Sequence, residues 1–325
     1  MSTGCHKHNS CSVGQNNHNW VITRRAFLKT SAATLAGLAV APLSCTQWTT
    51  SGQRRGIARF GIVTDSHYAD ADAVGSRYYR HSLDKMNECV ELMNAKKVNF
   101  LIELGDFKDQ NNPPIEQKTL TYLRAVERVF QKFNGPTYHV LGNHDMDSIS
   151  KEQFLTNVEN TKIDRGKSYY SFDSNGVHFA ILDANYRTDG TDYNHGNFDW
   201  TDANIPPVEI NWLREDLAAA HGPVIVFIHQ LLDGTGSVYV NNASNIRQII
   251  EQSGKVTAVF QGHHHEGSYS YMEGTHYYTL KAMVEGPGQE NNSYAIVEIL
   301  PDQSITVIGY RKAVSKQLNQ TVLTV

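Results

Sequence analysis

Five short apolar runs along the chain each lead into histidine, aspartate or asparagine, and this pattern restricts the fold more than any other feature of the sequence. The runs are residues 60–63, 100–104, 137–141, 224–228 and 256–260, and the groups after them are Asp65-Ser66-His67, Gly105-Asp106, Gly142-Asn143-His144-Asp145, His229 and Gly262-His263-His264-His265. Apolar runs of this length are typical of buried strands. Because open α/β folds place their sites beyond the carboxyl ends of the strands, we expect these polar side chains to meet.

The segments between and after these runs predict the remaining elements. Apolar residues at helical spacing predict helices over 77–97, 115–133, 207–220 and 245–252. A hairpin is predicted over 169–182, and antiparallel strands at 268–271, 276–281, 293–300 and 304–311. Early strands that alternate with helices indicate a parallel or mixed sheet. We therefore predict an α/β (α+β) fold, a four-layer αββα sandwich of two mixed sheets.

The N-terminal segment is predicted to be an address and not part of this fold. Thr23-Arg24-Arg25-Ala26-Phe27-Leu28-Lys29 resembles the twin-arginine export signal, and the apolar stretch that follows it is too short to span a bilayer. We assign residues 1–45 to the signal and 46–56 to a polar linker. The protein is then expected to be exported, periplasmic or at the cell surface, with no transmembrane segment in the mature chain.

The end of the signal has two interpretations, and both stay open. Ala39-Val40-Ala41 has the small residues of a cleavage site, but Pro42 follows it directly. Leu43-Ser44-Cys45 indicates a lipid anchor at Cys45, although Pro42 stands where an aliphatic residue is usual. Of the 4 cysteines only Cys89 lies clearly within the mature domain, so no disulfide framework is expected. A net charge of −4 without recurring Lys/Arg clusters argues against nucleic acid binding.

The ordered set Asp-x-His, Gly-Asp, Gly-Asn-His-Asp, His and Gly-His-x-His resembles the calcineurin-like metallophosphoesterase superfamily. The resemblance covers residues 59–314, so we assign 57–325 as a metallophosphoesterase catalytic domain. It implies a centre of two divalent metal ions that share one bridging carboxylate. One ion would be held by Asp65, His67 and His265, the other by Asn143, His229 and His263, and Asp106 would bridge them.

The chemistry of these donors agrees with that implication. Carboxylate oxygen and imidazole suit Mn, Fe or Zn as divalent ions. Two such ions bring more positive charge than Asp65 and Asp106 cancel, which favours a small phosphorylated substrate, and they can activate a water molecule as nucleophile. By the resemblance His144 is a catalytic residue that donates a proton to the leaving group, and Asp145 fixes its ring. His139, inside a strand, is predicted to be a core or hydrogen-bonded histidine.

A narrower likeness is to the Mn-dependent ADP-ribose/CDP-alcohol diphosphatases. The segments that carry it are Tyr68-Ala69-Asp70, Arg77-Tyr78-Tyr79-Arg80-His81-Ser82-Leu83, Gly196-Asn197-Phe198, Ile210-Asn211-Trp212-Leu213 and Gly262-His263-His264-His265-Glu266-Gly267. That group often has Gln where this chain has His67, so the metal stays open. Purple acid phosphatases, another branch, have Tyr where this chain has Asp109. The likeness implies a nucleotide-like substrate.

Residues outside the metal set are candidates for substrate binding. Arg77 and Arg80 are predicted to clamp a second phosphate, or else to form salt bridges or a solvated helix face. Tyr186, Tyr193, Phe198 and Trp200, in the long segment 184–206, either stack on a base or pack the segment on itself.

The predicted function is hydrolysis of phosphodiester or pyrophosphate bonds of nucleotide-like molecules by an exported dinuclear-metal phosphoesterase. A broad phosphomonoesterase and a cyclic-nucleotide phosphodiesterase are the alternatives within the enzyme class. A non-catalytic metal-binding scaffold is the alternative from another class.

Overall fold

A computed structural model describes residues 57–319 except residue 198. The predicted export signal, the linker, Cys45 and Phe198 lie outside the described residues. No helix in the described part of the chain combines the length and the apolar character needed to cross a membrane.

The described residues form twelve strands and five α-helices. In chain order the strands are β1 (Ala58–Val63), β2 (Leu101–Glu103), β3 (Thr137–His139), β4 (Tyr170–Ser174), β5 (Val177–Ile181), β6 (Val224–Phe227), β7 (Val256–Gln261), β8 (Ser268–Met272), β9 (Thr275–Thr279), β10 (Ser293–Ile299), β11 (Ile305–Arg311) and β12 (Lys316–Leu318). The helices are α1 (Ser82–Lys96), α2 (Glu116–Phe130), α3 (Lys151–Asn157), α4 (Pro207–Ala219) and α5 (Ala243–Ser253).

The strands make two six-stranded mixed sheets. The first has the order β12-β11-β10-β1-β2-β3, in which β1, β2 and β3 run parallel and β10 lies antiparallel to β1. The second has the order β4-β5-β6-β7-β9-β8, with β5, β6, β7 and β9 parallel and β4 and β8 antiparallel at its edges. The predicted antiparallel assignment of 276–281 is therefore half right, because β9 is antiparallel to β8 but parallel to β7.

Three apolar clusters hold four layers together and confirm the predicted αββα sandwich. Between the sheets, Phe60 and Phe227 pack edge to face with ring centroids 5.7 Å apart. On the outer face of the first sheet, Val63 packs with helices α1, α2 and α3. The outer face of the second sheet packs in the same way against α4 and α5, with Val226 among its residues. Successive strand residues alternate between inner and outer clusters, as the period of a β-strand requires.

Two helical details differ from the prediction. Helix α1 begins at Ser82, later than predicted, because Tyr79–His81 forms a 3-10 turn. Helix α3 was not predicted. It has only 7 residues, too few for an apolar period, but Ser150 and Gln153 cap its start reciprocally, a signature that is visible in the sequence.

Candidate metal centre

The predicted metal-ligating residues meet where strands of both sheets end. Asp65 and His67 follow β1, Asp106 follows β2 and Asn143 follows β3, all on the first sheet. From the second sheet, β6 brings His229, and β7 brings His263 and His265. Parallel strands end at a common edge, so five motifs that are distant in the chain become neighbours.

The donor atoms fall into two groups with Asp106 between them. In the first group, Oδ1 of Asp65 lies 3.7 Å from Nε2 of His67 and 3.4 Å from Nε2 of His265. The second group comprises Asp106, His229 and His263, whose ligand atoms lie within 4.8 Å of one another. Oδ2 of Asp106 lies 3.5 Å from Nε2 of His67 and 3.2 Å from Nε2 of His229. A single carboxylate oxygen thus reaches both groups, as a bridging ligand must.

The hydrogen bonding of these atoms tests whether the site suits cations. Several donor atoms are buried and have no hydrogen-bond partner within residues 57–197 and 199–319: Asp65 Oδ1, His67 Nε2, Asn143 Oδ1, His229 Nε2 and His263 Nε2. Buried polar atoms are normally paired, and a cluster of unpaired ones needs an explanation. Lone pairs on carboxylate, amide and imidazole atoms that face a common space fit divalent metal ions.

Each of three histidine rings is oriented by a hydrogen bond on its other nitrogen. Nδ1 of His229 donates to the carbonyl oxygen of Leu104 at 2.8 Å. Nδ1 of His67 lies 3.0 Å from Oδ2 of Asp109, and Nδ1 of His265 lies 2.5 Å from Oε1 of Glu285. A proton held on Nδ1 leaves the lone pair on Nε2, which is the form that binds a metal.

The backbone is strained where it presents the ligands. Asp65, His67, Asp106 and His263 have φ angles of 53°, 43°, 55° and 64°, in the left-handed region that residues with a Cβ rarely adopt. Such strain concentrates at functional sites. Gly142 is required for a different reason, because a Cβ at that position would lie 2.2 Å from the backbone nitrogen of Asp106.

The charges of the centre are strongly coupled. Burial alone would raise the pKa of Asp65, but His229, His265 and His67 hold it well below its usual range. Burial alone would lower the pKa of His67, but Asp106 and Asp109 raise it to about 10. Without cations, the carboxylates therefore keep both nitrogens of this ring protonated at pH 7, so that it is positively charged. Metal binding needs neutral imidazole, so it must release protons.

The structure corrects the predicted role of Asp145. Its carboxylate accepts hydrogen bonds from the backbone N–H of Gly142 at 2.8 Å, Asp106 at 3.1 Å and Phe107 at 3.0 Å. These contacts fix the loops that carry Asp106 and Asn143. The prediction that Asp145 fixes the His144 ring is therefore wrong, since the carboxylate accepts from backbone amides instead.

The carboxylate that lies near the His144 ring is that of Asp109 and not that of Asp145. Oδ2 of Asp109 lies 3.8 Å from Nδ1 of His144, and the rings of His144 and His67 are 4.8 Å apart. The His144 side chain is 27% exposed, so a substrate can reach it. Burial lowers its pKa to about 4, and the positive charge of Arg77 contributes in the same direction. At pH 7 the imidazole is neutral in the free site, and it gains a proton only when nearby negative charge raises its pKa.

The predicted substrate-binding residues lie in different surroundings, and only some of them are near the centre. The guanidinium of Arg80 forms ion pairs with Asp70 at 2.5 Å and Asp72 at 2.6 Å, which is the salt-bridge alternative. Tyr193 is fully buried and donates its hydroxyl hydrogen bond to the Asp199 carbonyl oxygen, so it packs the long segment and does not line the site. Arg77 lies near enough to the centre for its positive charge to contribute to lowering the pKa of His144. Trp200 is 47% exposed, and its ring lies 6.3 Å from the ring of His263.

A cavity of about 600 Å³ opens beside Asp109. Its polar lining includes neutral and basic side chains together with three carboxylates: Tyr79, Arg80, Gln110, Asn111, Asp70, Asp72 and Asp109. Its volume is in the range of small-molecule sites. Neither Gln110 nor Asn111 belongs to a metal motif, so their place beside the centre is not evident from the sequence.

Comparisons with known proteins agree with this geometry. The family model described as calcineurin-like phosphoesterase matches residues 58–267. Proteins named manganese-dependent ADP-ribose/CDP-alcohol diphosphatase are similar to this chain: that of Oryza sativa subsp. japonica is 26% identical, with 79% of this chain and 92% of the relative covered. The one from Arabidopsis thaliana is 25% identical, with 80% and 96% covered. The crystal structure of a dimetal phosphatase from Danio rerio has a TM-score of 0.70 at 18% identity, with 82% of this chain and all of that chain (100%) covered.

The matched residues span the strand ends that bring the donor groups together. Two-ion hydrolysis is the chemistry of such centres. The chain is therefore a metal-dependent phosphoric ester hydrolase and belongs to the calcineurin-like phosphoesterase family.

Proposed function

We propose that this protein is an exported hydrolase of phosphodiester or pyrophosphate bonds in nucleotide-like small molecules. The observation that carries the proposal is the position of Asp106 between two donor groups, with His144 beside them and a cavity next to Asp109. A phosphate at the centre would then have His144 on one side and room for a large leaving group. The names of the similar diphosphatases favour a diphosphate substrate and manganese.

The metal-ligating residues would each have a defined role. Asp65, His67 and His265 would hold one ion, Asn143, His229 and His263 the other, and Asp106 both. Two ions bound there would supply positive charge for the phosphate and would lower the pKa of a water molecule. The neutral Asn143 preserves that positive charge, which an aspartate in its place would reduce. The donor atoms also suit iron and zinc.

His144 acts on the leaving group in this proposal. The free imidazole is neutral at pH 7, as its lowered pKa requires. A bound phosphate brings negative charge close to the ring and raises that pKa. The ring can then hold a proton and pass it to the departing oxygen, and Asp109 steadies it from the Nδ1 side.

Trp200 offers a surface for a base or another flat group. Its ring lies 6.3 Å from the ring of His263, a metal-ligating histidine. Its exposed indole can stack on a substrate, and a base stacked on an aromatic ring contributes about 1–3 kcal/mol. Stacking favours nucleotide-like substrates over small phosphomonoesters.

A hydrolysis screen tests this proposal. Purified protein with Mn²⁺ is incubated with ADP-ribose, CDP-choline, cyclic AMP, bis-p-nitrophenyl phosphate and p-nitrophenyl phosphate, and Asp106→Asn serves as the control for contaminating activity. We expect ADP-ribose or CDP-choline to be hydrolysed with the highest kcat/KM. A preference for p-nitrophenyl phosphate would favour the phosphomonoesterase alternative, and a preference for cyclic AMP the cyclic-nucleotide alternative. No turnover with two ions bound would favour the scaffold.

Export is the second part of the proposal, and it rests on the Arg24-Arg25 motif. Arg24→Lys together with Arg25→Lys should leave the protein in the cytoplasm. Fractionation followed by immunoblotting measures this, with Lys29→Arg as a control that keeps both arginines. Normal export of the double variant would contradict the assignment. Metabolic labelling with a fatty acid in wild type and Cys45→Ser distinguishes a lipid anchor from cleavage after Ala41.

A further inference from the structure

A segment beyond the matched family region ties two of the ligand motifs together. We call residues 282–286 the tether segment; it follows β9. Backbone N–H groups of Met283 and Val284 donate to the carbonyl oxygens of Thr64 and Asp65, each at 3.0 Å. The N–H of Ala282 donates to the carbonyl oxygen of His265 at 3.1 Å. The tether segment therefore joins the first metal motif to the last.

The tether segment also carries the carboxylate that orients His265. Oε1 of Glu285 lies 2.5 Å from Nδ1 of His265, and Nε2 of the same ring lies 3.4 Å from Oδ1 of Asp65. A carboxylate on Nδ1 fixes the ring and increases the electron density at Nε2.

A buried lysine, Lys85, also holds the tether segment in place. Lys85 of helix α1 has no exposed surface. Its Nζ donates to the carbonyl oxygens of Met283 at 2.7 Å, Glu285 at 3.0 Å and Gly286 at 2.8 Å. All three N–H donors of the ammonium group are thus used on one short stretch of backbone. A buried ammonium group is costly unless it is fully hydrogen bonded, and here that cost is met where it fixes the backbone of Glu285.

We propose that Glu285 and Lys85 are positioning residues for the metal ion of the first donor group. Glu285 sets the orientation and donor strength of His265, and Lys85 sets the position of Glu285. The ion between Asp65, His67 and His265 is then bound more tightly than those three ligands alone would bind it. The inference rests on the dinuclear centre and is independent of the substrate proposed above.

The chain contains a matched control for the lysine. Nζ of Lys255 also donates to three carbonyl oxygens, those of Leu217 at 2.7 Å, Ala218 at 2.9 Å and Ala220 at 2.8 Å. These carbonyls lie at the C-terminal end of α4, where helix carbonyls lack intrahelical partners. Lys255→Met removes the same kind of contact from a helix end, whereas Lys85→Met removes it from the tether segment.

The test is a Mn²⁺ titration of metal-free protein, followed by electron paramagnetic resonance of free Mn²⁺, with no substrate present. Glu285→Gln and Lys85→Met should each raise the Kd of one of the two Mn²⁺ ions by about 10- to 100-fold and leave the other within about twofold. Lys255→Met should bind both ions as wild type does. Because hydrolysis is not measured, a wrong substrate assignment does not affect the result.

Specific outcomes would overturn each half of the proposal. Wild-type Kd values in Glu285→Gln would remove Glu285 from it, and this variant should fold because the side chain is 29% exposed. Wild-type Kd values in Lys85→Met would show that Lys85 has only a structural role. If Lys85→Met does not fold, Lys85→Arg replaces it, because it keeps the charge but not the fit to three carbonyls, and the same two results decide. Equal weakening in Lys85→Met and Lys255→Met would also overturn the lysine's role.

Discussion

His139 and His67 are both fully buried histidines beside carboxylates, yet their surroundings differ in one decisive way. Nδ1 of His139 lies 3.1 Å from Oε1 of Glu103, and its Nε2 lies 3.1 Å from Oε2 of Glu127. His67 has a carboxylate at 3.0 Å on Nδ1, that of Asp109, whereas its Nε2 lies farther from the nearest carboxylate oxygens, at 3.5 Å from Asp106 and 3.7 Å from Asp65. The His139 cluster supplies its own counter-charges, whereas the metal centre is completed by cations.

The two regions show how a metal centre differs from a structural charge cluster. Burial alone would lower the pKa of His139, but Glu127 and Glu103 raise it to about 10, so its positive charge is matched within the protein. At the metal centre, donor atoms from four motifs that are unpaired within the described residues face one space. Counting histidines would not separate these cases, but the distances from both ring nitrogens to the carboxylate oxygens do.

The largest expected effect comes from the shared carboxylate of the metal centre. Asp106→Asn should lower kcat/KM by more than roughly a thousandfold, because a bridging ligand supports charge stabilisation of several kcal/mol. Steady-state kinetics with Mn²⁺ and a metal count by plasma mass spectrometry measure the effect. Full turnover with two ions bound would contradict the bridging role. His139→Leu is the matched control, since it changes the His139 cluster and should keep wild-type metal content.

The next effect separates His144 from the ligands around it. His144→Ala should leave both ions bound and reduce the rate by roughly 10²–10⁴-fold on substrates whose leaving group needs a proton. The loss should be much smaller on p-nitrophenyl esters, because p-nitrophenolate leaves as a stable anion. Equal losses on both kinds of substrate would show that His144 stabilises the phosphoryl group instead. Loss of metal would place His144 among the ligands.

The His139 cluster should affect the stability of the fold and not metal binding. His139→Leu leaves Glu103 and Glu127 without their cation and should lower the free energy of unfolding by about 3–5 kcal/mol. The folded pKa of His139 is raised from 6.5 to about 10, so the stabilisation is complete below pH 6.5 and is lost as the pH rises to 10. Urea denaturation of wild type and variant at several pH values measures this difference. A constant difference between pH 6 and pH 10 would contradict the ion-pair account.

The smallest effect is expected at the rim of the metal centre. Trp200→Ala should raise KM for ADP-ribose or CDP-choline by about tenfold, since stacking of one base contributes about 1–3 kcal/mol. KM for p-nitrophenyl phosphate, which has no base, should stay within about twofold. Tyr193→Phe is the control within the same segment. An equal rise for all substrates would assign Trp200 to the structure of the segment and not to base recognition.

The sequence was most informative where a residue's role depends on its place at a strand end. Asp65, Asp106 and His229 could be identified because each lies within two residues of the end of an apolar run, and parallel strands end together. The partners of these residues were harder to identify. Glu285 lies 20 residues after His265, and the contact depends on the path of the tether segment.

Predictions from adjacency in the chain are wrong where chain neighbours are not neighbours in space. Asp145 follows His144 directly, but its carboxylate turns to the backbone amides of the adjoining loops, and Asp109 occupies the place beside the ring. Tyr193 lies in a segment with aromatic residues, and only packing decides that it is buried while Trp200 is exposed. Buried and exposed aromatics of one segment look alike in the sequence, because both are apolar and neither shows a period.

The most direct test of the two-ion centre is anomalous diffraction from crystals grown with MnCl₂. Data collected on both sides of the manganese absorption edge locate the ions without reference to the protein atoms. We expect two peaks about 3.5–4 Å apart, one against Asp65, His67 and His265, the other against Asn143, His229 and His263, with Asp106 bound to both. A single peak, or two peaks of which neither contacts Asp106, would contradict it.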